Sequence, residues 1–183
     1  DDVIRTPQEV ARRALALFAS FGVAAGAERN EVMEWLTECN LDGELTPIER
    51  RFLDNCCPTS SERMNRSWDC ERLVMLVWAL GCIPSLPAAD EQCDTSVFQD
   101  LLPPFSSESA AEFIDRATLR PASEIWAMAE FCLKAHWHAR DAKLRGGSPA
   151  VPVDIEVIQE RHHAINWVTG YDGLSWDEVT TDT

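Results

Sequence analysis

The chain has 183 residues, 45% of them hydrophobic and 26% charged, which is ordinary globular composition with enough length to bury a core unaided. Its 31 acidic residues against 16 Lys and Arg leave a formal charge of −15, which repels phosphate backbones and excludes nucleic acid as an expected partner. No apolar run approaches the roughly 20 residues of a membrane span, and the first residues lack the basic-then-apolar pattern of a signal peptide.

The first predicted element is "RTPQEVARRALALFASFG", with Thr6 as N-cap, Pro7 at N1 and Glu9 completing a capping box. Val10, Ala14, Leu17, Phe18 and Phe21 follow at helical spacing, and Gly22 is expected to stop the run. Val32, Trp35, Leu36 and Cys39 form one stripe of a second helix, and "TPIERRFLDN" repeats the Thr-Pro-x-Glu start. Residues 55–66, "NCCPTSSERMNR", have loop composition. Ser67 is then expected to cap "WDCERLVMLVWALG", apolar nearly all round and so the central buried helix, near 68–80. A Pro-broken connection leads to a short helix at about 95–102, and Ser109 with Glu112 opens another. The longest helix is predicted from Pro121 to about Leu144, with an inward stripe of Ile125, Met128, Ala129, Cys132, Ala135 and Ala139. A connector at 145–152 leads to "VDIEVIQERHHAINWVTG", closed by Gly170. No segment alternates with period two long enough to be a strand. The expectation is one all-α domain over residues 1–183, of about seven or eight helices, with a C-terminal strap packed on the body.

"RTPQEVARR", "SWDCERLVMLVWALG", "HWHARDA", "ERHHAINWVTG" and "WDEVTTDT" occur in this order along nearly the whole chain. Together they resemble a domain-of-unknown-function family, the one numbered forty-two seventy-two. That resemblance implies a fold and carries no activity to transfer. The loop "NCCPTSSERMNR" and the Cys-rich middle depart from it.

The seven cysteines are Cys39, Cys56, Cys57, Cys70, Cys82, Cys93 and Cys132. Their odd count, one adjacent pair and absence of C-x-x-C spacing argue against a disulfide framework or structural zinc. Free thiols in a reducing cytoplasm are expected. Among the histidines, His136 and His162 lie on apolar stripes and are expected to be hydrogen-bonded core residues, whereas His163 is expected at the surface. Glu160-x-x-His163 would be half of a carboxylate metal site, but no second Glu-x-x-His accompanies it. No metal, cofactor or catalytic residue is therefore expected. Neither a G-x-S-x-G elbow nor a phosphate loop is present.

Arg120, Arg140 and Arg161 are candidates to meet the C-terminal acids Asp177 and Asp182 and the terminal carboxylate of Thr183, either as a latch, the favoured reading, or as an anion or metal site. Trp126, Leu133, Trp137 and Leu144 form a second stripe on the longest helix, for which core packing is favoured over an interface. Two functions compete. The first is a non-enzymatic acidic module binding a basic protein, for example an immunity-type protein that neutralises a basic toxin such as a nuclease. The alternative is an uncharacterised enzyme or small-ligand protein, with a pocket between the two late helices and the strap. Its candidate residues are Arg120, His136, Arg140, Arg161, His162, Trp176, Asp177 and Asp182. A homodimer through the second aromatic stripe is a third possibility.

Overall fold

Four helices begin in the same way: a hydroxyl side chain accepts from the N3 amide while the N3 glutamate accepts from the cap amide. The pairs are Thr6–Glu9, Thr46–Glu49, Thr59–Glu62 and Ser109–Glu112. The computed structural model describes residues 2–183, and no strand occurs among them. In chain order the helices are α1 (Pro7–Ala24), α2 (Arg29–Glu38), α3 (Pro47–Asp54), α4 (Ser60–Ser67), α5 (Asp69–Ala79), α6 (Val97–Leu101), α7 (Ala110–Asp115), α8 (Ala122–Leu144) and α9 (Ile155–Thr169). Eight have six residues or more, and α6 is a five-residue segment.

Every residue of α5 except Arg72 is buried. Helices α1 and α9 flank it, α8 packs along α9, and α2, α3, α4 and α7 gather around α1. The core thus lies along the α1–α5–α9 layer, with Leu15, Leu17, Leu73, Met75, Leu76 and Ile158 inaccessible to solvent.

Three local expectations are corrected. Residues 55–66 are not all loop, because α4 occupies Ser60–Ser67. Its only large apolar residue, Met64, is exposed, so no periodicity announces it. The Thr59–Glu62 capping box starts it and Arg63 Nη1 ties it to Val23 O at 3.2 Å. Ser67 does not cap α5: it closes α4, its hydroxyl donating to Met64 O at 2.7 Å, and Trp68 is the hinge between the two helices. Helix α1 also runs past Gly22 to Ala24, Gly22 keeping helical geometry there. The connector at 145–152 contains no helix.

The C-terminus of α9 is where both chain ends meet. Gly170 adopts φ +74°, and a Cβ there would lie 2.2 Å from Val3 O, so only glycine allows the N-terminal segment to pass. Arg5 locks this crossing: Nε donates to Trp167 O at 2.9 Å, Nη2 to Leu174 O at 2.7 Å, and the guanidinium lies 4.3 Å from the Trp167 ring centre. Beyond Leu174 the chain returns over the body. Trp176 and Val179 are buried, and Asn166 Nδ2 donates to Thr180 O at 3.1 Å.

The strap is therefore held by apolar anchors rather than by its acids. Replacing Trp176 by Ala is expected to lower unfolding free energy by about 3–5 kcal/mol. Asp182→Asn, at an exposed position, should stay within about 0.5 kcal/mol. Urea denaturation of both variants checks the contrast.

Candidate functional site

Two buried guanidinium–carboxylate pairs stitch the helices together. Arg13 of α1 places Nη2 2.7 Å from both carboxylate oxygens of Glu49 in α3, and its Nη1 donates to Glu44 O at 2.7 Å. Arg161 of α9 donates through Nε to Glu71 of α5 at 2.8 Å, and through Nη1 and Nη2 to Pro87 O and Ala88 O at 2.8 and 3.2 Å. The second oxygen of Glu71 accepts from the Cys93 amide at 2.6 Å. Burying such charges costs several kcal/mol per ion unless each lone pair and proton finds a partner. Here Arg161 and Glu71 fix the 82–94 connection to the core by meeting that demand.

Around the first pair lies a wider network. Asp69, almost fully buried, sits 3.2 Å from Arg66 and 3.7 Å from Arg72, and Arg72 also pairs with Glu160. Burial pushes the Asp69 carboxyl up to about 6 despite the pull of Arg66 and Arg72. Trp176 covers this region, with the Arg13 guanidinium 5.2 Å from its ring centre and His163 edge-on at 4.9 Å. Arg13 Nε, His163 Nε2 and Trp176 Nε1 have no hydrogen-bond partner within the protein.

Three histidines, His136, His162 and His163, are buried between α8, α9 and the strap, and burial favours their neutral forms. His136 and His162 face each other across 3.2 Å between their Nδ1 atoms, so one is donor and the other acceptor. Burial holds His136 below its ordinary value, with Arg140 adding to the effect. Burial, and then His136, push His162 down to about 4. Burial, more than the neighbouring Arg72, takes His163 to about 3. His136 and His162 are core residues as expected. His163 is a correction: it is buried, because the strap returns over a helix face that would otherwise be open.

The arginines do not converge on the tail. Arg120 donates to the carbonyls of Trp78, Ile83 and Pro84 and pairs with Glu124. Arg161 is committed to Glu71. Arg140 alone reaches the end of the chain, at Thr183 O and Oγ1, 3.2 and 2.8 Å away. Asp177 accepts only a long 3.4 Å contact from the Ile48 amide, and Asp182 is exposed. The second stripe is also corrected: Trp126, Leu133, Trp137 and Leu144 are 41% or more exposed, because the main helix partner of α8 is α9, which packs against its other stripe.

Cys70, Glu71 and Cys93 bring potential ligand atoms within 4.8 Å of one another. The Glu71 carboxylate is already engaged by a guanidinium and an amide, and the charge of Arg161 beside it opposes a cation. The trio reads as a structural staple. Burial likewise pushes the Cys132 thiol up to about 12, which makes it inert.

Several concavities indent the surface, and two of them are lined by more than one tryptophan or phenylalanine. A groove of about 330 Å3 beside the strap is lined by Arg5, Arg13, Thr46, Trp167, Trp176 and Asp177. A larger apolar cleft of about 480 Å3 opens between α1, α2 and the segment after α6. Phe18, Phe21, Val32, Trp35 and Phe105 line it, with Glu28 and Glu31 also on its wall. Phe18 and Phe105 meet edge-on at 6.0 Å, and both carboxylates are exposed. Glu28 is held in place by the α2 amides of Asn30 and Glu31 at 2.8 and 3.2 Å. Sequence reasoning missed this cleft because its walls come from three distant segments. The one local signal was Phe105, an isolated aromatic directly after two prolines.

A helical shell around one buried helix, with guanidinium–carboxylate pairs in its interior, defines an all-α domain. The chain belongs to the family described as Domain of unknown function (DUF4272), whose model matches residues 1–179. No curated protein and no solved structure matches the chain.

The histidine cluster has a measurable consequence. A histidine that stays neutral when folded but charges near pH 6.5 when unfolded contributes its full stabilisation above that pH. As pH falls from 6.5 to about 4, His162 and His163 should each remove about 1.4 kcal/mol per pH unit. Asp69 acts oppositely between its ordinary value of 3.8 and about 6, offsetting one of them. Thermal melts should therefore decline from pH 6.5 to 4, and His162→Gln should reduce the slope.

Proposed function

We propose that the protein is a non-enzymatic acidic module that captures a basic protein partner in the cleft between α1 and α2. The observation that carries the reading is an aromatic cavity edged by Glu28 and Glu31 on a chain of charge −15. A lysine or arginine entering it would meet ring faces and a carboxylate together, and cation–π contacts of this kind contribute about 0.5–2 kcal/mol each. The long-range field would accelerate encounter, and the apolar walls would slow release. In its finer form the proposal is an immunity-type protein acting in a reducing cytoplasm and blocking the cationic substrate groove of a toxin such as a nuclease. The acidic surface fits that role, as do seven free thiols.

The alternative, a small-ligand site near the strap, rests on the groove beside Trp176 and Asp177 rather than on His136, His162 or Arg161, which pack in the core. That groove is smaller and more open to water, so the cleft carries the conclusion.

The test uses basic proteins encoded beside this gene, assayed by calorimetry. Affinity should weaken roughly tenfold or more between about 0.05 and 0.5 M salt. Glu31→Lys and Phe105→Ala, both at exposed positions, should each weaken it by a similar factor. A complex indifferent to salt and to both substitutions removes the reading.

A further inference from the structure

Helix α8 carries a stripe that the fold leaves uncovered. Trp126, Leu133, Trp137 and Leu144 are 41%, 44%, 47% and 84% exposed, and they recur at intervals of seven, four and seven residues. This is the seam spacing of a coiled coil, and Glu130 and Arg140 occupy the two remaining seam positions. The seam reads Trp126, Glu130, Leu133, Trp137, Arg140, Leu144 over about 27 Å of helix.

We propose that a second copy of this chain docks on this seam as an antiparallel, two-fold pair of α8 helices. Running the two seams in opposite directions sets Trp126 against Leu144 of the second copy, Leu133 against Trp137, and Glu130 against Arg140. Each layer then matches in character, and the two-fold axis repeats all three. A parallel pair would instead oppose Glu130 to Glu130 and Arg140 to Arg140, which disfavours it. Arg140 is available for the contact, since only its Nη1 is engaged, at Thr183.

The charges of α8 suit self-association despite the net charge of the chain. Two molecules of charge −15 repel each other. Within α8, however, Glu124, Glu130 and Asp141 are balanced by Lys134, Arg140 and Lys143. The helix is neutral, with two of its three acids, Glu124 and Glu130, in the N-terminal half and all three bases in the other, where Asp141 is paired with Arg145, so antiparallel apposition joins opposite signs. A strongly basic partner would find no such complement on this face. The exposed tryptophans are of the residue type that anchors interfaces. This dimer is independent of the proposed cleft, which α1, α2 and the segment after α6 form on other elements.

Sedimentation velocity on the full chain tests the pairing. The wild type should sediment at twice the 20.5 kDa protomer mass. Glu130→Arg, and separately Arg140→Glu, should raise the dimer dissociation constant at least about tenfold, with circular dichroism unchanged. The double exchange restores every opposed pair and should return the constant to within about threefold of wild type. Each residue also has a contact within the protomer, Glu130 with Lys134 and Arg140 with Thr183, so restoration by the double exchange is the deciding readout. A monomer at about 100 μM, a dimer that ignores both single exchanges, or failure of the double exchange to restore it would each overturn the proposal.

Discussion

Helix α5 shows water only at Arg72, and the rest of the structure follows from the need to cover it. An apolar run that is hydrophobic all round cannot rest against a single neighbour. It needs a layer on each side, which α1 and α9 supply, and those helices in turn need their outer faces closed. Helix α8 closes one side of α9, the small helices close α1, and the strap closes the remaining gap with Trp176 and Val179.

Surrounding a helix also buries the polar residues at its start. Asp69 and Glu71 lie in the first turn of α5, where carboxylates suit the helix dipole. Once enclosed, they require cations, and Arg66, Arg72 and Arg161 provide them. The buried charges are thus a consequence of the packing order. They also join segments that apolar contact alone would leave loosely related: Arg161 holds the 82–94 connection, and Arg13 holds α3. The neutral histidines occupy the same seam of the molecule, which couples its stability to mild acid.

The interior is closed around paired charges, and the surface is less uniform. Two features there depart from a plain solvated exterior: an aromatic cleft with carboxylates at its edge, and a neutral apolar seam on α8. They differ in electrostatic character and lie on different elements, so the two contacts proposed for them do not compete for the same surface.

Much of the helical framework was legible without coordinates. The capping boxes of Thr6, Thr46 and Ser109, the buried run of α5 and the Gly170 stop rest on rules that act within a few residues, and all are found. Helix α4 escaped notice since its evidence was a cap without an apolar stripe. The core placement of His136 and His162 was likewise readable from spacing. What the tertiary structure alone decided was which stripe each neighbour covers. Spacing along α8 reveals two apolar faces, but only the position of α9 determines that one is buried and the other open. His163 is buried because a strap thirteen residues downstream, at Trp176, folds back over it. Apart from Glu124, one turn from Arg120, the partners of Arg13, Arg120 and Arg161 are remote, 31 to 90 residues away. Local chemistry sets the helices, whereas burial and charge pairing depend on contacts between segments that no short-range pattern encodes.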